Sequence, residues 1–187
     1  MVTNSIRKDV CSMYNIIGAM FASEDEARKA LQTLAETPQI NGTTILQMSL
    51  VKRKGGELKL CDNFTSEHLT SNDTVKGGLI GGLIGILGGP LGMLLGGATG
   101  ALLGKAVDKE DKLDSQTLIA QAAEKLEEGD LALIIMADET DEAILDRMLV
   151  KYNVVVIRYD ADVIAKEVEK AQKLEKEMAE AKEEENK

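Results

Sequence analysis

The chain has 187 residues, a formal charge of −10 at pH 7, 44% hydrophobic residues, only 3% aromatics and no tryptophan. Such a length suits one domain with an appendage, its core built from aliphatic side chains and methionine. The acidic balance, with no basic patch interleaved with aromatics, argues against a nucleic-acid partner.

Taken in order, "YNIIGAMF" (Tyr14–Phe21) is a short apolar run of the kind that forms a buried strand. Ser23 and Glu26 have capping-box spacing, and Ala27, Ala30, Leu31 and Leu34 recur at helical intervals until Pro38. "TTILQMSLVKRK" alternates, with Ile45, Gln47, Ser49 and Val51 on one side and Leu46, Met48 and Leu50 on the other. Gly55-Gly56 is a hairpin turn signal, after which "ELKLCD" returns as a strand. Beyond the glycine-rich middle, "SQTLIAQAAEKLEEG" reads as a helix stopped by Gly129. "LALIIMA" (Leu131–Ala137) is apolar throughout, the pattern of a strand buried on both faces. "DETDEAILDRMLVKY" reads as a helix with acids in its first turn, "NVVVIRY" as a β-branched strand, and the remainder from Asp162 as a helix.

These elements predict an α+β fold. A ferredoxin-like sandwich fits the order best, with helices on one face of a mostly antiparallel sheet, an inserted glycine-zipper helical hairpin and a C-terminal helix. The expected boundaries are 1–63 and 112–160 for the two halves of the α+β domain, 74–106 for the insert and 161–187 for the charged tail. The tail holds ten acidic and six basic residues from Asp160 onward, and its apolar stripe of Ile164, Val168, Ala171, Leu174, Met178 and Ala181 suits either docking on the domain or a coiled-coil contact. The boundary at Asp160 implies that a chain cut there stays folded.

The segment from Gly77 to Lys105 holds twelve of the seventeen glycines and no charge before Lys105. Gly77, Gly81, Gly85 and Gly89 are spaced by four, as are Gly88, Gly92, Gly96, Gly100 and Gly104. That spacing places residues on one helical face, where missing side chains let a neighbouring helix approach closely. Each glycine disfavours a helix by roughly 1 kcal/mol, so the surroundings must compensate. With a break at Gly89-Pro90, each arm of a hairpin has about 13 residues and reaches roughly 20 Å, short of a bilayer core of about 30 Å. A single kinked helix would reach about 42 Å and could span, with Lys76 and Lys105 at the headgroups. A membrane-inserted hairpin or kinked helix, a hairpin buried in a soluble homo-oligomer and a glycine loop are the three readings.

The block "GGLIGGLIGILGGPLGMLLGGATGALLG", the strand–helix–strand–strand start and "EEGDLALIIMADE" together resemble a prokaryotic glycine-zipper family of unknown function, over residues 14–160. Members are predicted membrane proteins, often linked to stress. The resemblance implies a membrane-associated protein of a bacterial or archaeal cell and no catalytic residues; a cytoplasmic assembly is the alternative.

Chemistry-bearing motifs fail on inspection. A phosphate loop ending at Gly104-Lys105 would need glycine at 99 and Ser or Thr at 106, where the chain has Thr99 and Ala106. The segment has no two glycines separated by one residue, so it lacks a dinucleotide fingerprint. Cys11 and Cys61 have no metal or disulfide spacing, and His68 is the only histidine. The N-terminal apolar stretch makes a poor leader peptide, so the N-x-T triplets at Asn41, Asn63 and Asn72 carry little weight. Asp138-Glu139 follows a buried strand, where a helix N-terminus accounts for the acids. The sequence therefore predicts a non-enzymatic, self-associating structural protein with no cofactor, no metal and no nucleotide. Its partners are itself and a lipid bilayer, or itself alone.

Overall fold

The computed structural model describes residues 13–67, 78–89, 91–92 and 117–185. In chain order the elements are β1 (Met13–Phe21), α1 (Glu24–Glu36), β2 (Gln39–Ile40), β3 (Thr43–Lys54), β4 (Glu57–Thr65), α2 (Leu79–Gly88) and α3 (Leu118–Lys125). They continue with β5 (Leu131–Glu139), α4 (Ala143–Leu149), a 3-10 turn (Val150–Tyr152), β6 (Val155–Asp160) and α5 (Ala161–Glu185). The fold is mixed α and β: a six-stranded antiparallel sheet with five helices among the described residues.

Strand β3 pairs with β5, β5 with β1 and β1 with β6, while β2 and β4 share the outer side of β3. Gly55 (φ 67°) and Gly56 (φ 81°) turn β3 into β4, and Asn41 (φ 46°) and Gly42 (φ 85°) turn β2 into β3. Two consecutive positive φ values are what the tight hairpin turn requires. The carboxylate of Glu128 accepts hydrogen bonds from both Gly55 N (2.7 Å) and Gly56 N (3.2 Å). Those bonds hold its pKa below the usual carboxylate value.

Helices cover both faces of the sheet, not one as the element order suggested. On the first face α1 and α4 bury Ala27, Ala30, Leu31, Leu34, Leu145 and Leu149 against Ile17, Met48, Leu50, Leu133 and Ile135. On the second, α2, α3 and α5 bury Ile80, Leu83, Ile119, Ile164, Val168 and Leu174 against Ile16, Leu46, Val51, Ala132, Ile134 and Met136. Strand β5 contributes to both cores at once, as its unbroken apolar run predicted. The one-faced expectation fails because a bare second face would leave Ala132, Ile134 and Met136 in water.

Three local expectations also change. The pairing of β3 with β5 shifts register between Ile45 and Gln47, so the side chains do not alternate through that stretch. Ile45, Met48 and Leu50 enter the first core, while Leu46 crosses to the second with Val51. An inserted bulge residue reverses the side on which its successors point. Helix α3 ends at Lys125, before Gly129. Helix α4 starts at Ala143, because Asp138 and Glu139 remain in β5.

The stripe predicted on the tail is docked on the chain's own domain. Ala161, Ile164, Val168, Ala171 and Leu174 are all buried in the second core. Full burial of an aliphatic side chain contributes about 1.5–3 kcal/mol, against a typical total stability of about 5–15 kcal/mol. The packing thus reverses the expectation for a chain cut after Asp160. That truncation should lose cooperative thermal unfolding, or melt far below the full chain; an unchanged transition would show that α5 adds nothing to the fold.

Candidate functional site

Four of the ten residues of α2 are glycines, a poor composition for an isolated helix. The compensation is burial: Leu79, Ile80, Leu83, Ile86 and Leu87 all point into the second core. The glycines fall into two groups by what surrounds them. A Cβ on Gly82 would lie 2.9 Å from Val168 Cγ1 and 3.0 Å from Gln172 Nε2 of α5. On Gly88 it would lie 2.7 Å from the backbone nitrogen of Leu58 in β4, and on Gly89 2.8 Å from Glu175 Oε1. On Gly92 it would strike the carbonyl oxygens of Ile86 and Leu87. A Cβ on Gly81 or Gly85 would meet nothing beyond its own helix within 4 Å among the described residues, and both, with Gly78, are exposed.

The two sequence ladders therefore do not act as two faces. In the first, Gly81 and Gly85 are open among the described residues and Gly89 meets the carbonyl of Gly85 and Glu175 of α5; in the second, Gly88 meets β4 and Gly92 meets the carbonyls of Ile86 and Leu87 in α2. Gly77, Gly96, Gly100 and Gly104 lie outside the described residues, as do Cys11, His68 and the second arm of the expected hairpin beyond Gly92. Within α2 the glycine whose added Cβ would meet another helix is Gly82, which neither ladder contains. Its signal was present in the sequence: Gly78 and Gly82 are also four apart.

Helix α5 grips the chain on both sides of residues 93–116. Glu167 accepts hydrogen bonds from Leu118 N (3.0 Å) and Ile119 N (2.9 Å), and Thr117 Oγ1 accepts one from Ala120 N (3.2 Å). Together they satisfy the N–H groups that a helix start leaves unpaired. Eight residues further on, roughly 12 Å along the helix, Glu175 Oε1 accepts the N–H of Leu91 at 3.4 Å. Burial pushes the Glu175 carboxyl above its ordinary value, opposed by the bond from Leu91.

A second polar cluster lies at the end of β5, on the first face. Glu139 is 2% exposed, and its carboxylate accepts from Asn15 Nδ2 (2.9 Å), Arg158 Nε (3.1 Å) and Arg158 Nη2 (3.3 Å). Arg158 also meets Asp146 Oδ1 of α4 at 2.8 Å and donates to the carbonyl of Glu142. Burial alone would lower the guanidinium pKa; the bonds to Glu139 and Asp146 outweigh it and raise the pKa instead. The cluster joins β1, β5, β6 and α4, the geometry of an internal cross-link. Sequence reading assigned Glu139 to a helix start because nothing local reveals partners on β1 and β6.

The second face also holds an apolar cleft of about 80 Å³ over Gly18, a half-buried residue of central strand β1. Met20, Leu87, Leu126, Ile157 and Tyr159 are among its walls. Among the described residues no His, Cys, Asp and Glu side chains group to hold a metal ion. None of the described helices is long and apolar enough to cross a membrane.

These features define a mixed α/β domain with a glycine-rich helix built into its second core. The chain belongs to the family described as "Protein of unknown function (DUF1269)", whose model matches residues 74–181. The match departs from the resemblance drawn over 14–160: it begins at the glycine-rich segment and takes in most of α5, the helix that grips that segment. Neither the curated proteins nor the solved structures offer a match to this chain.

Two outcomes follow from this geometry. Gly81→Ala and Gly85→Ala should each stabilise the monomeric chain by up to about 1 kcal/mol, since the helix gains propensity and the new methyl meets no described residue of its own chain. Gly88→Ala should destabilise it by about 1–3 kcal/mol, because the neighbour in its way is backbone; urea unfolding of the three variants reads the difference. For Glu175, a folded pKa above the ordinary 4.5 means the carboxylate disfavours the fold at neutral pH, a penalty that disappears as pH falls below 4.5. Glu175→Gln should be at least as stable as the parent at neutral pH, with the gap closing on acidification in the same assay.

Proposed function

We propose that this protein is a non-enzymatic structural protein that self-associates by packing the open glycine face of α2 against the same helix of a second copy. The observation that carries this reading is the contrast along one short helix. Gly82 and Gly88 are closely packed inside the chain, whereas Gly81 and Gly85 are exposed, and a Cβ on either would meet no other element among the described residues within 4 Å. Outward glycines weaken a surface helix without aiding its own packing, and close approach of a partner backbone accounts for them. The aliphatic residues of α2 are already buried on the protein's own sheet, which favours a helix at subunit contacts over one withdrawn into lipid.

Placement at a membrane is the second reading. It is favoured by the 28 residues from Gly77 to Gly104, which carry no charge and are bracketed by Lys76 and Lys105. We also read the sheet as a ferredoxin-like sandwich. The units β1-α1-β3 and β5-α4-β6, with strands in the spatial order β3-β5-β1-β6, support that reading. In it, β4, α2 and α3 form an insert between the two halves.

The test is the size distribution of the full chain by light scattering. Gly85→Leu and Gly81→Leu should each shift it toward smaller species with unchanged circular dichroism, because overpacking an interface costs about 1–3 kcal/mol per site. An unaltered distribution for both would end the glycine-face proposal. Retention in the membrane pellet through salt and carbonate washes would instead promote the membrane reading.

A further inference from the structure

Strand β6 is an end strand of the sheet among the described residues, pairing with β1 alone. Natural edge strands are blunted by outward charges, bulges or proline. The opposite margin has such protection: β4 carries exposed Glu57 and Lys59, and its register with β3 shifts at Leu50/Val51. β6 (Val-Val-Ile-Arg-Tyr-Asp) has no proline and no register break against β1. Its two charged residues are engaged within the chain. Arg158 binds Glu139 and Asp146, and Asp160 Oδ1 accepts from Asp162 N (2.8 Å) and Val163 N (3.0 Å) at the start of α5. Exposed large hydrophobic residues also gather here. Of four among the described residues, Val155 (67% exposed) lies on the strand, and Val150 (71%) and Val163 (43%) lie within five residues of its ends.

We propose that the outer edge of β6 is a seam on which a second copy of this chain adds its own β6, antiparallel, joining two sheets into one. A row of backbone donors and acceptors on an edge is completed by an extended strand, and the sequence of β6 suits its own copy. A two-fold axis at Ile157 sets Ile157 opposite itself, Val155 opposite the partner's Tyr159 and Val156 opposite the partner's Arg158. Cross-strand residues share a face, so the first two pairs unite apolar side chains on the second face. An axis at Arg158 would oppose two guanidinium groups, and one at Val156 would leave Arg158, Tyr159 and Asp160 overhanging. The chosen register also brings together the two apolar clefts, since Ile157 and Tyr159 wall each of them. This surface is distinct from the glycine face of α2, so either contact can hold without the other.

The experiment uses the full chain with Cys11→Ser and Cys61→Ser, in a dilution series followed by light scattering and by oxidation. Antiparallel partners sit about 4.5–5.5 Å apart at Cα, within disulfide reach. Added Ile157→Cys should therefore yield an intermolecular disulfide, and Leu60→Cys on the opposite margin should not. Val155→Lys, a charge at an exposed position, should weaken the dimer about tenfold or more without changing thermal unfolding. The Ile157→Cys cross-link should persist in Gly85→Leu, which separates this seam from the glycine contact. A chain monomeric at every concentration overturns the proposal. So does a dimer that Ile157→Cys fails to cross-link, or a Gly85→Leu dimer that Val155→Lys leaves intact.

Discussion

The architecture depends on burying the β1–β5 pair from both sides. β5 runs Leu-Ala-Leu-Ile-Ile-Met-Ala and supplies Leu133 and Ile135 to one core and Ile134 and Met136 to the other. A strand apolar on both faces costs free energy wherever it meets water, so two layers of helix must cover it. Helices α1 and α4 serve the first layer. The second has to come from the rest of the chain, which brings the glycine-rich helix and the C-terminal helix into the domain. What looked like an insert and an appendage is the other half of the cover.

Burial on the sheet also explains how a helix with four glycines in ten residues persists. Its aliphatic side chains supply the favourable term, and the absence of side chains at Gly82 and Gly88 lets α5 and β4 come close on either side. Backbone contact distance, rather than helix propensity, is the property used at these two positions. At Gly81 and Gly85 no neighbour among the described residues requires it, and that difference carries the functional reading.

The polar contacts follow one pattern. Glu128, Glu167 and Glu175 each present carboxylate oxygens to backbone N–H groups at a turn or near a helix start. Turns and helix starts leave donors unpaired, and an ionised acceptor makes the stronger bond to them. Glu139 differs, since its partners are side chains on two neighbouring strands. An acidic composition that first appears only as net charge thus places several of its acids where loops and helix starts need an acceptor.

Local pattern determined a good part of this protein. The amphipathic period of α1, the Gly55-Gly56 turn, the two-faced burial of β5 and the apolar stripe of α5 can each be read from a few consecutive residues, because propensity, turn geometry and side-chain period are short-range properties. Tertiary structure decided the rest. Leu46 changes face because β3 must keep its hydrogen bonds to β5 across a bulge. Glu139 becomes a buried cross-link because β-pairing brings Asn15, 124 residues away in the chain, alongside it. Gly82 and Gly85 are chemically identical, yet among the described residues one packs against α5 and the other meets no other element. A residue without a side chain gives no local sign of which way it faces; the neighbours that pack around it decide.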